Sequence, residues 1–180
     1  RSAWNLVRHI QEGGWFIEAT EEPLEGGFGH ARLKGVADLV LRRGGEHCIL
    51  DLKWSGLRYR ESLLKNEEDL QLVLYSKMLG QQTGWPHTAF YIINKGVILA
   101  RNRQAFQTAE AIMPDADIGE VNQRIWDRMI KTYEWRSEQI QNGEVEIRCE
   151  ETAAALEAHY SEAPWLEMLE MKSEDAAFDD

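Results

Sequence analysis

Apolar residues at helical spacing begin the chain, and a strand pattern follows. Over residues 2–11 the apolar side chains recur three or four positions apart and share one helix face, and a glycine pair then ends the predicted helix. Residues 15–20 are rich in aromatic and β-branched side chains and predict a strand. The Gly- and Glu-rich stretch 21–29 predicts a turn region.

Strands are predicted at residues 36–41 and 47–53, with a glycine-containing turn between them that favours an antiparallel hairpin. Residues 54–66 show no regular pattern and are predicted to be irregular. A helix is predicted over residues 67–80. A second hairpin (residues 87–101) and a long helix (residues 119–141) complete one α/β domain with a mixed sheet.

Charge is unevenly distributed along the 180 residues, whose formal net charge is −11. Residues 104–180 carry 6 basic and 19 acidic side chains, whereas residues 30–103 carry 12 basic and 7 acidic ones. The total argues against a protein that coats nucleic acid with its whole surface, but the mildly basic middle allows a polyanionic substrate. The acidic C-terminal part is either solvated surface or a contact to a partner.

The composition is typical of a soluble globular protein. No stretch reaches the roughly 18 apolar residues of a membrane helix, and none resembles a signal peptide. The expected location is therefore the cytoplasm, with no membrane partner. We expect a single domain over residues 1–180, with a core at about 15–143 and an acidic segment at 144–180. A first residue other than methionine is typical of a fragment of a longer protein.

Three charged side chains interrupt the apolar strands of the first hairpin. Asp38 lies in its first strand, and Asp51 and Lys53 share one face of its second strand, opposite Leu50 and Leu52. A buried charge is costly unless it is paired or binds a metal ion. A divalent cation would relieve the repulsion between the two carboxylates, and the lysine could orient a metal-bound water or stabilise developing negative charge. The alternative is a plain Asp–Lys salt bridge on a solvated strand face.

Three motifs occur in a fixed order: G-V-A-D-L-V-L, then H-C-I-L-D-L-K-W-S-G, then Q-L-V-L-Y-S-K-M-L. Together they resemble the PD-(D/E)XK nucleases, in particular their RecB-like branch, over about residues 15–100. The resemblance implies a restriction-endonuclease-like core, a mixed β-sheet flanked by helices. It also implies a divalent-metal-dependent DNA nuclease that acts in recombination, repair or defence, often fused to a helicase or another domain of the same parent protein.

The resemblance also assigns roles to individual residues. Asp38 and Asp51 would bind Mg²⁺ or Mn²⁺ together with the main-chain carbonyl of Leu52. Lys53 would be the catalytic lysine.

Two further positions match the resemblance. Gln71 and Tyr75 fit the family's Gln-x-x-x-Tyr motif and share one helix face. Glu21 is the candidate for an additional acidic metal ligand, with Glu18 and Glu22 as rivals and an exposed, solvated turn as the alternative for all three.

The segment after the Asp-x-Lys strand is basic and aromatic, with Trp54, Arg58, Tyr59 and Arg60. Trp54 could stack on an unpaired base while Arg58 and Arg60 bind the phosphate backbone. Alternatively, the tryptophan packs on the core and the arginines pair with Glu61 or Glu68.

Two departures from the family pattern leave room for a catalytically inactive scaffold that binds DNA or assembles with other proteins. His9 lacks the sequence context of the family's metal-binding histidine and is predicted to lie at the surface or an interface, while His30 could face the site. The two cysteines, Cys48 and Cys149, are too few for an iron–sulfur cluster. Cys48 is predicted to be a core residue.

Overall fold

The computed structural model describes residues 2–80 and 84–144. Its elements in chain order are α1 (Ser2–Glu12), β1 (Phe16–Phe28), β2 (Ala31–Arg43), β3 (Glu46–Lys53), α2 (Leu57–Asn66), α3 (Leu70–Leu79), β4 (His87–Ile92), β5 (Val97–Ala100), β6 (Glu110–Ala111) and α4 (Ile118–Gln141). The chain divides into two compact units, Arg1–Glu138 and Gln139–Asp180. The sheet belongs to the first unit, and the acidic segment from residue 145 onward lies outside the described residues.

The six strands form one sheet in the order of the chain, from β1 to β6. Both predicted hairpins are present, since β2 pairs with β3 and β4 with β5 in antiparallel register. The pairing of β3 with β4 is parallel, and α2 and α3 provide the crossover that a parallel pair requires. The predicted α/β fold with a mixed sheet is therefore confirmed. None of the described helices combines the length and the apolar character needed to cross a bilayer.

The alternation of side chains along β3 separates two buried clusters. Leu50 belongs to the cluster that includes Ile10 of α1, and Leu52 packs against it. Ile49 belongs to the other cluster, which contains Met78 of α3. Asp51 shares the Ile49 face of the strand, so the fold directs its carboxylate toward α3.

The predicted turn at residues 21–29 is wrong, because β1 continues to its end at Phe28. Leu24 and Phe28 are both buried on the same face of this long edge strand. Leu24 packs with Met78, and the ring of Phe28 meets the ring of Trp126 in α4 edge to face, with centroids 5.3 Å apart. These contacts stabilise a strand in a segment whose composition favours a turn.

Residues 54–66, predicted to be irregular, contain helix α2. The helix begins after Gly56, whose φ of 89° lies in the left-handed region that glycine adopts without steric cost. Leu64 is buried with Leu72 of α3, which gives the helix an apolar anchor. The helix ends at Asn66, and Glu67 caps it with a left-handed φ of 59°. The next helix therefore begins at Leu70, later than predicted.

Candidate active site

Asp51 and Lys53 form an ion pair at the end of β3, with 2.8 Å between Lys53 Nζ and Asp51 Oδ2. Asp51 is only 1% exposed. Burial raises the pKa of the Asp51 carboxyl, the hydrogen bond and the charge of Lys53 oppose that rise, and the charge of Asp38 adds to it. The pair is therefore not a solvated surface salt bridge.

Asp38 contacts the same strand from β2. The last paired residues of β2 and β3 are Leu39 and Leu50. Beyond them, the Asp38 carboxylate accepts a hydrogen bond from the Leu52 N–H at 2.6 Å. A buried or half-buried N–H needs an acceptor, and here a side chain provides it at the point where the ladder ends. The hydrogen bond fixes one oxygen of Asp38 beside the main chain of the Asp-x-Lys motif.

Helix α3 adds Gln71 and Tyr75 to this network. The Lys53 ammonium donates to Gln71 Oε1 at 3.5 Å, and Gln71 Nε2 donates to the Tyr75 hydroxyl at 3.2 Å. The Tyr75 ring lies directly against Gly35, where a Cβ would be only 2.6 Å from Tyr75 Cε1. The glycine three residues before Asp38 thus lets α3 approach the sheet closely.

This contact makes Gly35→Ala a test of how α3 is positioned. The added methyl group must displace the Tyr75 ring, and overpacking of this kind costs about 1–3 kcal/mol. We expect a lower midpoint of urea unfolding. Gly27→Ala is the matched control, because a Cβ at Gly27 of β1 meets nothing within 4 Å. Equal effects of the two substitutions would contradict this role of Gly35.

Glu21 is brought to the edge of the site by its strand. It lies between the paired residues Thr20 and Glu22 of β1, so the register places it opposite Asp38. Its side chain is exposed and its φ is 50°. Within residues 2–80 and 84–144, no three His, Cys, Asp or Glu side chains converge as metal ligands. The rival Glu18 is paired with Arg42 and His47.

The carboxylates of Asp38 and Asp51 are close enough for their charges to interact, and such a pair suits a small divalent cation. Mg²⁺ commonly takes one or two protein carboxylates and completes its shell with water and substrate oxygens. Asp51 Oδ2 is buried and makes no hydrogen bond of good geometry apart from its ion pair with Lys53. The donor set therefore fits Mg²⁺ or Mn²⁺ without a third carboxylate.

The basic and aromatic segment beyond β3 divides into exposed and engaged side chains. Trp54 is 72% exposed, so the alternative that it packs on the core is wrong. Arg58 is exposed and makes no hydrogen bond or ion pair within the described part of the chain. Arg60 is half-buried and donates to the carbonyls of Ser55 and Gly56, at 3.1 and 3.4 Å, and not to the predicted glutamates.

The histidine and cysteine predictions have mixed outcomes. His9 is buried, with Nδ1 2.8 Å from the Thr108 hydroxyl and Nε2 3.3 Å from the Gly96 carbonyl, so its predicted surface position is wrong. His30 is exposed. Cys48 is fully buried, and this burial raises the pKa of its thiol, which confirms its core position.

Sequence reasoning missed a buried ion pair that positions α3. Arg101, directly after β5, binds the Asp69 carboxylate at the start of α3 and donates to the Leu64 carbonyl in the last turn of α2 at 2.8 Å. Both charged residues are 2% exposed. The pair therefore fixes the helix that carries Gln71. The available sequence signal is an arginine that directly follows an apolar strand.

Comparison with family models gives a match to the PD-(D/E)XK nuclease superfamily over residues 1–163. The chain belongs to this superfamily. The PD-(D/E)XK fold agrees with the observed core, a six-stranded mixed sheet flanked by helices, and the family assigns the protein to the nucleases, which generally use divalent metal ions. A comparison with curated proteins found no significant match.

Proposed function

We propose that this protein is a divalent-metal-dependent DNA nuclease of the RecB-like type, which hydrolyses phosphodiester bonds in recombination, repair or defence. The observation that carries the proposal is the ion pair of the buried Asp51 with the half-buried Lys53, with 2.8 Å between Nζ and Oδ2, on a strand that Asp38 also contacts. A purely structural protein gains little from two carboxylates placed together in a half-buried site, because their repulsion opposes folding.

Asp38, Asp51 and the Leu52 carbonyl would bind Mg²⁺ or Mn²⁺. The bound ion would lower the pKa of a water molecule and neutralise charge on the scissile phosphate. Lys53 has an ammonium group that can donate a hydrogen bond to the nucleophile or to a phosphate oxygen, where negative charge develops.

The RecB-like assignment is supported by α3. Gln71 and Tyr75 lie one turn apart and are hydrogen-bonded to each other, and Gln71 also accepts from Lys53. Gln71 thus limits the positions that the lysine ammonium can take. In this proposal DNA is the substrate, and a helicase or another domain of a longer parent protein is the partner.

The test is cleavage of end-labelled single- and double-stranded DNA with Mg²⁺, with Mn²⁺ or with EDTA. We expect cleavage with either metal ion and none with EDTA. Asp38→Asn should raise the Mn²⁺ concentration needed for half-maximal cleavage, because it removes one charged ligand. Asp115→Asn, an exposed position, is the control and should leave the curve unchanged. Cleavage that persists in EDTA would contradict the proposal, whereas DNA binding without any cleavage would favour the inactive scaffold.

A further inference from the structure

Side chains in β2 change from one face of the sheet to the other in the middle of the strand, at the candidate active site. Leu39 and Leu41 pack on the side that α1 covers, and Val40 packs on the opposite side, against α3. Regular alternation would place Ala37 with Leu39, because residues two positions apart share a face. Ala37 instead packs with Val40 on the α3 side. The strand therefore rotates between residues 37 and 39, and the residue at the rotation is Asp38.

Strand β1 rotates at the same level of the sheet. Ala19 and Leu24 both pack on the α3 side, although they are five positions apart and regular alternation would place them on opposite faces. The register with β2 is unbroken over residues 19–24. An inserted residue therefore does not explain the change of face, which must arise from the main-chain geometry of the strand itself.

Glu21 has a main-chain geometry that can produce this change of face. Its φ of 50° lies in the left-handed region, which is costly for residues other than glycine because Cβ approaches the following carbonyl oxygen. Among the residues that the structure describes, the other non-glycine residue with a positive φ is Glu67, which caps a helix. Glu21 lies inside a strand, opposite Asp38. A costly conformation persists where the surrounding structure demands it, and such positions are common at functional sites.

The rotation determines where the Asp38 carboxylate lies. It accepts a hydrogen bond from the Leu52 N–H at 2.6 Å, beyond the last paired residues of β2 and β3. The Glu21 side chain, by contrast, is exposed, and in the described ranges it does not converge with Asp38 and Asp51 as a third metal ligand. The feature of Glu21 that acts on the site is therefore its main chain.

We propose that Glu21 is a positioning residue whose left-handed main chain, and not its carboxylate, directs the Asp38 side chain toward β3. This inference deepens the proposed function and rests on it for the metal ion that Asp38 would bind. It gives Glu21 a role different from that of the additional metal ligand implied by the resemblance.

Two substitutions that both remove the carboxylate separate the conformation of residue 21 from its charge. Asparagine adopts the left-handed region more readily than most residues, whereas a β-branched residue such as valine is a clear outlier there. We expect Glu21→Asn to keep the orientation of Asp38 and Glu21→Val to lose it. If the Glu21 carboxylate were a metal ligand, both substitutions would weaken metal binding to a similar extent.

Hydrogen exchange of the Leu52 amide in EDTA reports on Asp38 without metal or DNA. Glu21→Val should accelerate this exchange by about 10-fold or more, because an N–H bonded to a carboxylate loses its acceptor. Glu21→Asn should change it little. The amide of Ile49, in the paired part of β3, measures any loss of global stability in the same experiment.

Titration calorimetry with Mn²⁺, again without DNA, gives the second measurement. Glu21→Val should raise the Kd for Mn²⁺ by about 10- to 100-fold, as expected when the support of a metal ligand is lost. Glu21→Asn should bind Mn²⁺ nearly as tightly as the wild type.

A glycine at position 21 tests the cost of the conformation. Glu21→Gly should raise the midpoint of urea unfolding by about 0.5 M, because glycine adopts a positive φ without the Cβ contact. Thr20→Gly is the matched control, since Thr20 is also exposed in β1 but has no positive φ. A glycine there should lower the midpoint.

Equal Leu52 exchange in Glu21→Asn and Glu21→Val would overturn the proposal, and so would an equal loss of Mn²⁺ affinity, which would identify Glu21 as a ligand. A lower urea midpoint for Glu21→Gly would also contradict it. The expected difference in Leu52 exchange, together with no Mn²⁺ binding by the wild type, would refute the metal-dependent function and leave the role of the Glu21 main chain standing.

Discussion

Replacing Lys53 with alanine is expected to lower the rate of DNA cleavage by about 10²- to 10⁴-fold. Within residues 2–80 and 84–144, the Lys53 ammonium is the only cationic group for which the structure gives an ion pair with Asp51. Its loss removes a donor from the place where charge develops in the reaction. Single-turnover cleavage at saturating Mn²⁺ measures the effect, because metal binding then does not limit the rate.

Two variants serve as comparisons for Lys53→Ala. Lys95→Ala changes an exposed lysine in the turn between β4 and β5 and should leave the rate unaltered. Gln71→Ala removes a contact of 3.5 Å to the Lys53 ammonium and should cause a smaller loss than Lys53→Ala. Cleavage that survives Lys53→Ala at the wild-type rate would place the chemistry elsewhere and refute the site assignment.

The part of the site that could be predicted from the sequence is the part encoded locally. Asp51 and Lys53 share a strand face because side chains alternate along β3, and Gln71 and Tyr75 share a helix face because they are one turn apart. The family model confirms the fold class that these motifs imply. The resemblance supplied the roles of the residues, and those roles remain predictions.

The missed elements share a physical cause, since tertiary contacts outweighed local composition. In β1, a Cβ at Gly26 would lie 2.9 Å from Met78 Cγ. Glycine is common in turns, but here it is needed so that α3 can pack closely against the strand. In α2, the half-buried position 60 carries an arginine, whose guanidinium binds loop carbonyls. Because this inward position is charged, the apolar residues of α2 do not recur at helical spacing, and the pattern therefore predicts no helix.

Long-range partners were beyond the reach of sequence patterns for the same reason. His9 bonds to Thr108 and Gly96, which lie 99 and 87 positions further along the chain. No periodicity in α1 indicates either contact. The Asp69–Arg101 pair likewise joins residues that only the completed sheet brings together.

The second large effect is expected at this buried pair. Arg101→Met should lower the free energy of unfolding by about 3–5 kcal/mol, because it leaves the Asp69 carboxylate buried without its partner. Replacing both residues by apolar ones, as Asp69→Leu with Arg101→Met, should recover much of the loss, because no charge then remains buried. Urea unfolding followed by tryptophan fluorescence measures each variant. Arg8→Met, which breaks the exposed pair of Arg8 and Glu12 on α1, is the control and should change stability little.

The pH dependence of Arg101→Met distinguishes an unpaired charge from simple loss of packing. Burial raises the pKa of the Asp69 carboxyl, and the charge of Arg101 opposes that rise, so removal of the arginine should raise this pKa further. Between the unfolded and folded pKa values the unfolded state binds fewer protons, and stability therefore falls as pH rises through this window. The variant should be closest to wild type in acidic solution, where Asp69 is protonated, and most destabilised at neutral pH. A destabilisation that is the same at both pH values would show that Arg101 acts through packing alone and not through the charge of Asp69.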